Sequence, residues 1–297
     1  ARTVVVTNNA SRSPSEVAES LSGMGFGITA ANVVSSPQAA AAMLADSHPA
    51  GARVLVVGAQ ALCDAITDVG LTPVRAATDD PVAVVQGHSP DTGWHNLAEA
   101  CIAIRGGADW VATNTDSTLP TDRGLLPGNG SMVAALVTAT GLTPRVAGKP
   151  ARPLLDAAAH RVGAARPLVV GDRLDTDIAA AVAADMPSLF VLTGVSTPTD
   201  LVAAGPDLRP TWVSADLRGL LDADLAAALD GSSSTAWTAA PGDSGITLHA
   251  NGSSGGRRDP VFALACVAAA AWRSGLSTVI PGDDAAAQAL QALGLLS

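Results

Sequence analysis

Short apolar runs that stop at a glycine or a polar residue, each followed by a helical stripe, recur along most of this 297-residue chain. That alternation commits it to an α/β fold with mainly parallel strands, because each crossover helix must return the chain to the same sheet edge. Residues 3–6 read as the first strand. Ser13-Pro14-Ser15-Glu16 then reads as a capping box with proline at the first helical position, and Val17, Leu21 and Met24 share the helix face that follows.

The pattern repeats downstream. Residues 53–57 read as a strand ending at Gly58, and Leu62, Ala65, Ile66 and Val69 as a helical stripe closed by Gly70. Residues 82–85 and 110–112 read as strands, with Leu97, Cys101 and Ile104 on the helix between them. Met132, Val133, Leu136 and Val137 mark a helix stopped by Gly141, and Leu154, Leu155, Ala158 and Ala159 another. Strands follow at 168–170, 189–192 and 211–213, with a helix at 177–185 and a closing helix carrying Leu217, Leu220 and Leu221. Residues 231–234 read as a linker or turn. Beyond it come a half-exposed strand at 246–249, an apolar helix at 260–272, a strand at 277–280 and a helix at 285–293.

Composition narrows the function. The net charge of −10 argues against nucleic acid, whose phosphates demand basic patches, but not against a small phosphate ester, which needs one local positive site. No apolar run reaches membrane-span length, and no signal peptide is visible. Cys63, Cys101 and Cys266 are far apart and lack metal-type spacing, so three thiols in a reducing, cytoplasmic compartment are expected.

Four polar segments sit where strands end, which is where open α/β sheets bind ligands. Thr7-Asn8-Asn9 offers a hydroxyl and main-chain amides to phosphate oxygens, or forms a polar turn. Gly148-Lys149-Pro150 carries the chain's single lysine, a point charge for phosphate or an exposed turn residue. Asp172 follows a buried strand through Gly171 and, with Asp177, suits Mg²⁺, which prefers one or two carboxylates plus phosphate. Asp175 and Asp177 also suit a helix N-terminus through its dipole. Thr113-Asn114-Thr115-Asp116, with the Pro127-Gly128-Asn129-Gly130 turn beyond it, could face a substrate or merely cap a loop.

Taken together, six segments resemble the haloacid dehalogenase-type phosphatases with a large α/β cap, the branch of NagD-like, nitrophenylphosphatase-like and phosphoglycolate phosphatase-like enzymes. They are Val-Thr-Asn-Asn-Ala (6–10), Ala-Thr-Asn-Thr-Asp (112–116), Pro-Gly-Asn-Gly (127–130), Gly-Lys-Pro (148–150), Gly-Asp-Arg-Leu-Asp-Thr-Asp-Ile (171–178) and Leu-Thr-Gly-Val (192–195). The resemblance covers about residues 1–220. It implies a Rossmann-like core of mainly parallel strands in two parts, 1–40 and 141–221, and an inserted α/β cap at 41–140; the strand and helix pattern beyond it reads as a small α/β appendage at 222–297. The appendage itself resembles half of an acyltransferase-like fold; no cofactor loop is read in it and no activity is assigned.

The resemblance also implies roles. Thr7 and Asn8 match the motif that binds the transferred phosphoryl group, and Lys149 the lysine that neutralises it. Asp172 matches the Mg²⁺ ligand and Asp177 an acid behind it. Arg173, Leu174, Asp175 and Thr176 match a loop lining the substrate pocket, and Asn114 and Asp116 are candidates to meet the substrate's hydroxyls. The expected reaction is Mg²⁺-dependent phosphomonoester hydrolysis through an aspartyl-phosphate, with catalysis carried by Lys149, Thr7 and Asp172. Glycerol 3-phosphate is the expected substrate, against phosphoglycolate, a nucleoside monophosphate or an aryl phosphate. The branch is often dimeric through the cap, so a homodimer is expected.

One departure is large. The family nucleophile lies in an Asp-x-Asp motif ahead of the Thr-Asn motif, and only Ala1-Arg2-Thr3-Val4-Val5 stands there. Asp175-Thr176-Asp177 belongs to the later motif, and Asp222-Ala223-Asp224 lies on a helical pattern. The expectation is an upstream strand, nucleophile loop and crossover of roughly 30 residues. The alternative is a protein that keeps the pocket to sense a phosphometabolite. A nucleotide-dependent dehydrogenase is not supported, since no Gly-x-Gly-x-x-Gly follows any strand.

Overall fold

A computed structural model describes residues 2–232, 236–252 and 259–296. The chain divides into two compact units, Ala1–Ala165 and Arg166–Ser297.

The first unit begins with β1 (Val5–Thr7), α1 (Pro14–Gly23), β2 (Val33–Ser35) and α2 (Ser36–Ser47). Strands β1 and β2 pair in parallel. The capping box forms: Ser13 Oγ accepts from Glu16 N at 3.3 Å, while the Glu16 carboxylate accepts from Ser13 N at 2.6 Å.

Then follow β3 (Arg53–Val57), α3 (Gln60–Asp68), β4 (Thr72–Val74), β5 (Ala83–Gln86), α4 (Trp94–Arg105) and β6 (Asp109–Ala112). A hairpin of β7 (Thr118–Thr121) and β8 (Gly124–Pro127) precedes α5 (Asn129–Thr140), β9 (Arg145–Val146) and α6 (Pro153–Arg161). The main sheet is parallel throughout, in the order β4-β3-β5-β6-β9.

Both faces of this sheet are covered, which explains why its strands read as continuous apolar runs. On one face Val54, Val56, Ala83, Val85 and Val111 pack with Val34, Leu44 and Ile66. On the other, Leu55, Val57, Val84 and Trp110 pack with Ile104, Val133 and Leu136. The chain leaves β3 for β4 on one side and β5 for β6 on the other, so a topological switch point lies between β3 and β5, beside Gly58 and Gly87.

The second unit contains β10 (Val169–Gly171), α7 (Ala179–Ala183), β11 (Ser188–Val191), α8 (Pro198–Val202), β12 (Trp212–Ser214) and β13 (Ala226–Ala228), whose strands form one sheet in that order. A second sheet is built from β14 (Trp237–Pro241), β15 (Ile246–Ala250) and β16 (Val279–Pro281), flanked by α9 (Pro260–Ser274) and α10 (Asp284–Ala292).

Several elements differ from the sequence reading. The helix expected at 177–185 is split: Leu174–Ile178 forms one π-type turn, with Ile178 N donating to Arg173 O at 3.1 Å, and only Ala179–Ala183 continues as α-helix. The expected closing helix with Leu217, Leu220 and Leu221 is a pair of 3₁₀ turns, and Leu221 is 91% exposed. The sheet edge is closed instead by β13, antiparallel to β12. Of the linker expected at 231–234, Gly231 and Ser232 form a turn, and the remainder lies outside the described residues.

Candidate active site

In the first unit the polar segments converge on Asn8, which follows β1 directly. Its Oδ1 accepts from Lys149 N at 2.9 Å. Its Nδ2 donates to Lys149 O at 2.9 Å and to the Asp116 carboxylate at 3.2 and 3.4 Å. Its main-chain oxygen accepts from Asn114 Nδ2 at 2.8 Å and from Ser36 Oγ at 2.9 Å. Thr7, Asn8, Asn114, Asp116 and Lys149 are thereby brought into one place.

Local sequence explains the convergence. β1, β6 and β9 end at Thr7, Ala112 and Val146, so their polar continuations leave from strand ends. Gly148 permits the close approach: a Cβ there would collide with Thr113 O and lie 2.6 Å from Asn8 Oδ1. The Lys149–Pro150 peptide is cis. Thr7 Oγ1 accepts from Asn9 N at 3.1 Å, so its own proton remains to donate. Asn114 is only 4% exposed, and its Oδ1 accepts from Asp116 N at 3.2 Å.

Asn129 lies in the 127–130 turn, and the sequence assigns it no role of its own. It is buried at the start of α5, and its Nδ2 donates to Asn114 O at 2.7 Å and Gln86 O at 3.3 Å. An asparagine flanked by Gly128 and Gly130 ahead of a helical stripe is the signal the sequence offers. Both glycines are sterically required, since a Cβ on either would collide with the main chain of 115–118.

In the second unit the carboxylates lie beyond β10. Asp172 is half-buried; its Oδ2 accepts from Val195 N at 2.9 Å, and its carbonyl from Ser196 N at 3.0 Å. The Thr193-Gly194-Val195 loop wraps this carboxylate so closely that a Cβ on Gly194 would collide with it. Gly171 is similarly packed against Asp177, whose Oδ2 accepts from Arg173 N at 3.1 Å. Arg173 grips Asp175 through two bonds of 3.0 and 2.7 Å, and this guanidinium contact holds the Asp175 carboxyl below the usual carboxylate range against the opposing pull of burial. Leu174 is 4% exposed with its side chain in the apolar core, and its N–H donates to Ser196 Oγ at 3.0 Å. Thr176 is buried beside it.

The donor set of the second unit fits Mg²⁺. Asp172 offers a hard carboxylate oxygen and is held in place by main-chain N–H groups, Val195 N on its carboxylate and Ser196 N on its carbonyl. Among the described residues no group of three or more His, Cys, Asp or Glu side chains could enclose a metal. A site of one or two carboxylates, completed by water and phosphate, is the arrangement Mg²⁺ prefers.

Comparison with known proteins agrees with this chemistry. Residues 1–72 match the model of haloacid dehalogenase-like hydrolases, and residues 146–220 that of HAD-hydrolase-like proteins. D-glycerol 3-phosphate phosphatase of Mycobacterium tuberculosis is 49% identical, over 99% of this chain and 86% of that protein. The chain belongs to the haloacid dehalogenase-like hydrolases. Within that family it falls among the phosphatases: a 5'-nucleotidase of Bacillus subtilis is 38% identical, over 64% of this chain and 74% of its own length. A crystal structure of the glycerol phosphate phosphatase from M. tuberculosis in complex with magnesium superposes with a TM-score of 0.93 at 51% identity, covering 100% of this chain and 88% of that one. The HAD-type models stop at residue 220; residues 234–295 match a GCN5-related N-acetyltransferase like domain, in line with the acyltransferase resemblance of the appendage. Among the described residues no helix is long and apolar enough to cross a membrane.

Proposed function

We propose that this protein is a Mg²⁺-dependent phosphomonoester hydrolase whose substrate is glycerol 3-phosphate. Coverage carries the choice of substrate. The M. tuberculosis enzyme aligns with 99% of the chain, so the alignment takes in the 234–295 segment, whereas the nucleotidase aligns with 64%.

In this reading Lys149 places its ammonium, and Thr7 its hydroxyl proton, on oxygens of the transferred phosphoryl group, where negative charge must be held through the transition state. Asp172 and, behind it, Asp177 would hold Mg²⁺. The bound ion would neutralise further charge on the phosphoryl oxygens and orient them. The Val195 and Ser196 N–H groups keep Asp172 from swinging away. The Asp-x-Asp carboxylate that the resemblance puts ahead of the Thr7 motif would form a bond to phosphorus as the ester P–O bond breaks and glycerol leaves with a proton; water would then hydrolyse the aspartyl-phosphate to inorganic phosphate and the free carboxylate. A cytoplasmic location accords with cysteines that remain thiols.

The test is phosphate release from glycerol 3-phosphate by the purified protein, with and without Mg²⁺, beside a nucleoside monophosphate and an aryl phosphate. Magnesium-dependent release, with kcat/KM highest for glycerol 3-phosphate, is expected. Tight ester binding without release would turn the assignment to a phosphometabolite sensor.

A further inference from the structure

Asn8 matches a phosphate-binding motif, yet its side chain has little left to offer a phosphate. A primary amide carries two N–H protons and one carbonyl oxygen. One proton is directed at Lys149 O and the other at Asp116; the carbonyl oxygen is taken by Lys149 N. A phosphate dianion needs donors, and an amide oxygen facing it would repel it.

We infer that Asn8 is a positioning residue, whose side chain fixes the main chain of Lys149 and ties it to Asp116. This rests on the assignment of Lys149 to the phosphoryl group made above. The amide bridges the Lys149 peptide on both sides, N–H and C=O, so the start of the lysine side chain is held by a residue 141 positions away in sequence. The bridge is itself anchored. Asn114 Nδ2 holds Asn8 O, Asn114 Oδ1 holds Asp116 N, and Asn129 Nδ2 holds Asn114 O and Gln86 O. Three asparagines therefore form one chain of hydrogen bonds from the carboxyl ends of β5 and β6 to Lys149. Asn114 and Asn129 are nearly fully buried, so water competes poorly for these bonds. Asp116 is the acceptor that uses the second proton of Asn8, which gives it a reason to be acidic that involves no substrate.

The decisive measurement is hydrogen exchange at the Lys149 amide of the full-length protein, read beside steady-state kinetics with Mg²⁺ and glycerol 3-phosphate. In Asn8→Ala the Lys149 amide should exchange about tenfold faster, the worth of one hydrogen bond. The kcat should fall on the order of 10²-fold, as a misplaced catalytic group does, with KM changing less than about threefold. Asn8→Asp keeps an acceptor for Lys149 N but sets a carboxylate against Asp116. Adding Asp116→Asn restores a donor–acceptor pair and should recover roughly tenfold of the lost kcat. Should Asn8→Ala fail to fold, Asn8→Asp and the double variant carry the same comparison. An unchanged Lys149 amide together with losses that simply add would overturn the inference and return Asn8 to direct phosphate contact. A wild-type protein without Mg²⁺-dependent release would defeat the proposed function, while the exchange comparison, which needs no turnover, would still decide the role of Asn8.

Discussion

At the scale of single residues, the second unit shows how strongly backbone can dictate chemistry. Asp172 would hold Mg²⁺ only if its carboxylate keeps one orientation, and that orientation is set by a loop packed at glycine-only distance. Gly194→Ala adds no charge and removes none, yet its Cβ would occupy the space of the Asp172 carboxylate. Either the carboxylate or the loop must shift, and the Val195 N–H bond is strained in both cases. The expected outcome is a half-saturating Mg²⁺ concentration raised about 10–100-fold, the usual effect of disturbing the support of a metal ligand, with activity recovering at high Mg²⁺. Asp172→Ala removes the ligand itself, so excess Mg²⁺ should not restore activity; a magnesium titration of both variants separates the two. Wild-type-like turnover of Asp172→Ala at low Mg²⁺ would take Asp172 out of the metal site.

At the scale of elements, two local devices hold the first unit's frame. The capping box of α1 makes Ser13→Ala an isolated loss of about 1 kcal/mol, readable by urea unfolding with no change in kcat. Asp109, at the start of β6, accepts from Arg145 of β9 and from His48 Nε2 at 3.3 Å, just beyond α2. Burial alone would raise its pKa; the Arg145 and His48 hydrogen bonds and charges outweigh burial and hold it below the usual carboxylate range. A depressed folded-state pKa gives stability that is present above the unfolded value of about 3.9 and is lost as pH falls through the folded one. The Asp109→Asn variant should therefore be less stable by about 1 kcal/mol at pH 7 and lose less than wild type on acidification from pH ~5 to ~2; chemical denaturation across that range checks it. These elements also show what sequence could reveal. β3, β5, β6 and β11 were legible because a strand buried on both faces must be apolar at every position. β4 was not, since Pro73 argues against a strand and is tolerated here only because β4 is a sheet edge. β13 is Ala226-Ala227-Ala228, helical by propensity and made a strand by pairing with β12. Thr7, Lys149 and Asp172 could be nominated by motif. The bonds of Asn8 could not, because they join residues 108 and 141 positions apart, and nothing local encodes that pairing.

At the scale of the whole chain, the segment matching the acetyltransferase-like model is not packed as a detachable module. Leu174, Ile178, Phe190, Leu201 and Val213, from the part that carries Asp172, share one buried cluster with Val261, Leu264 and Val267 of α9 and Leu290 of α10. Helix α9 is apolar nearly all round, as a helix enclosed by protein must be. Its far end is fixed by Trp272, whose Nε1 donates to Leu201 O at 3.1 Å while the Arg209 guanidinium stacks 5.0 Å from its ring centroid. Leu174 and Ile178 belong to the π-type turn that starts one residue after Arg173, so the core that supports the Asp172 loop is partly made of the C-terminal segment. A chain ending at Asp230 would expose Phe190, Leu201 and Val213 to water, where each large apolar side chain costs about 1.5–3 kcal/mol, against a total stability of only about 5–15 kcal/mol. Loss of soluble protein, or a lowered Tm with phosphatase activity gone, is expected. The milder Leu264→Ala should cost about 2–5 kcal/mol and lower Tm with little change in kcat below the transition, because the side chain touches the core and not the chemistry. If truncation at Asp230 instead left Tm and Mg²⁺-dependent phosphate release unaltered, the C-terminal segment would be a passenger and the shared core would carry no stability.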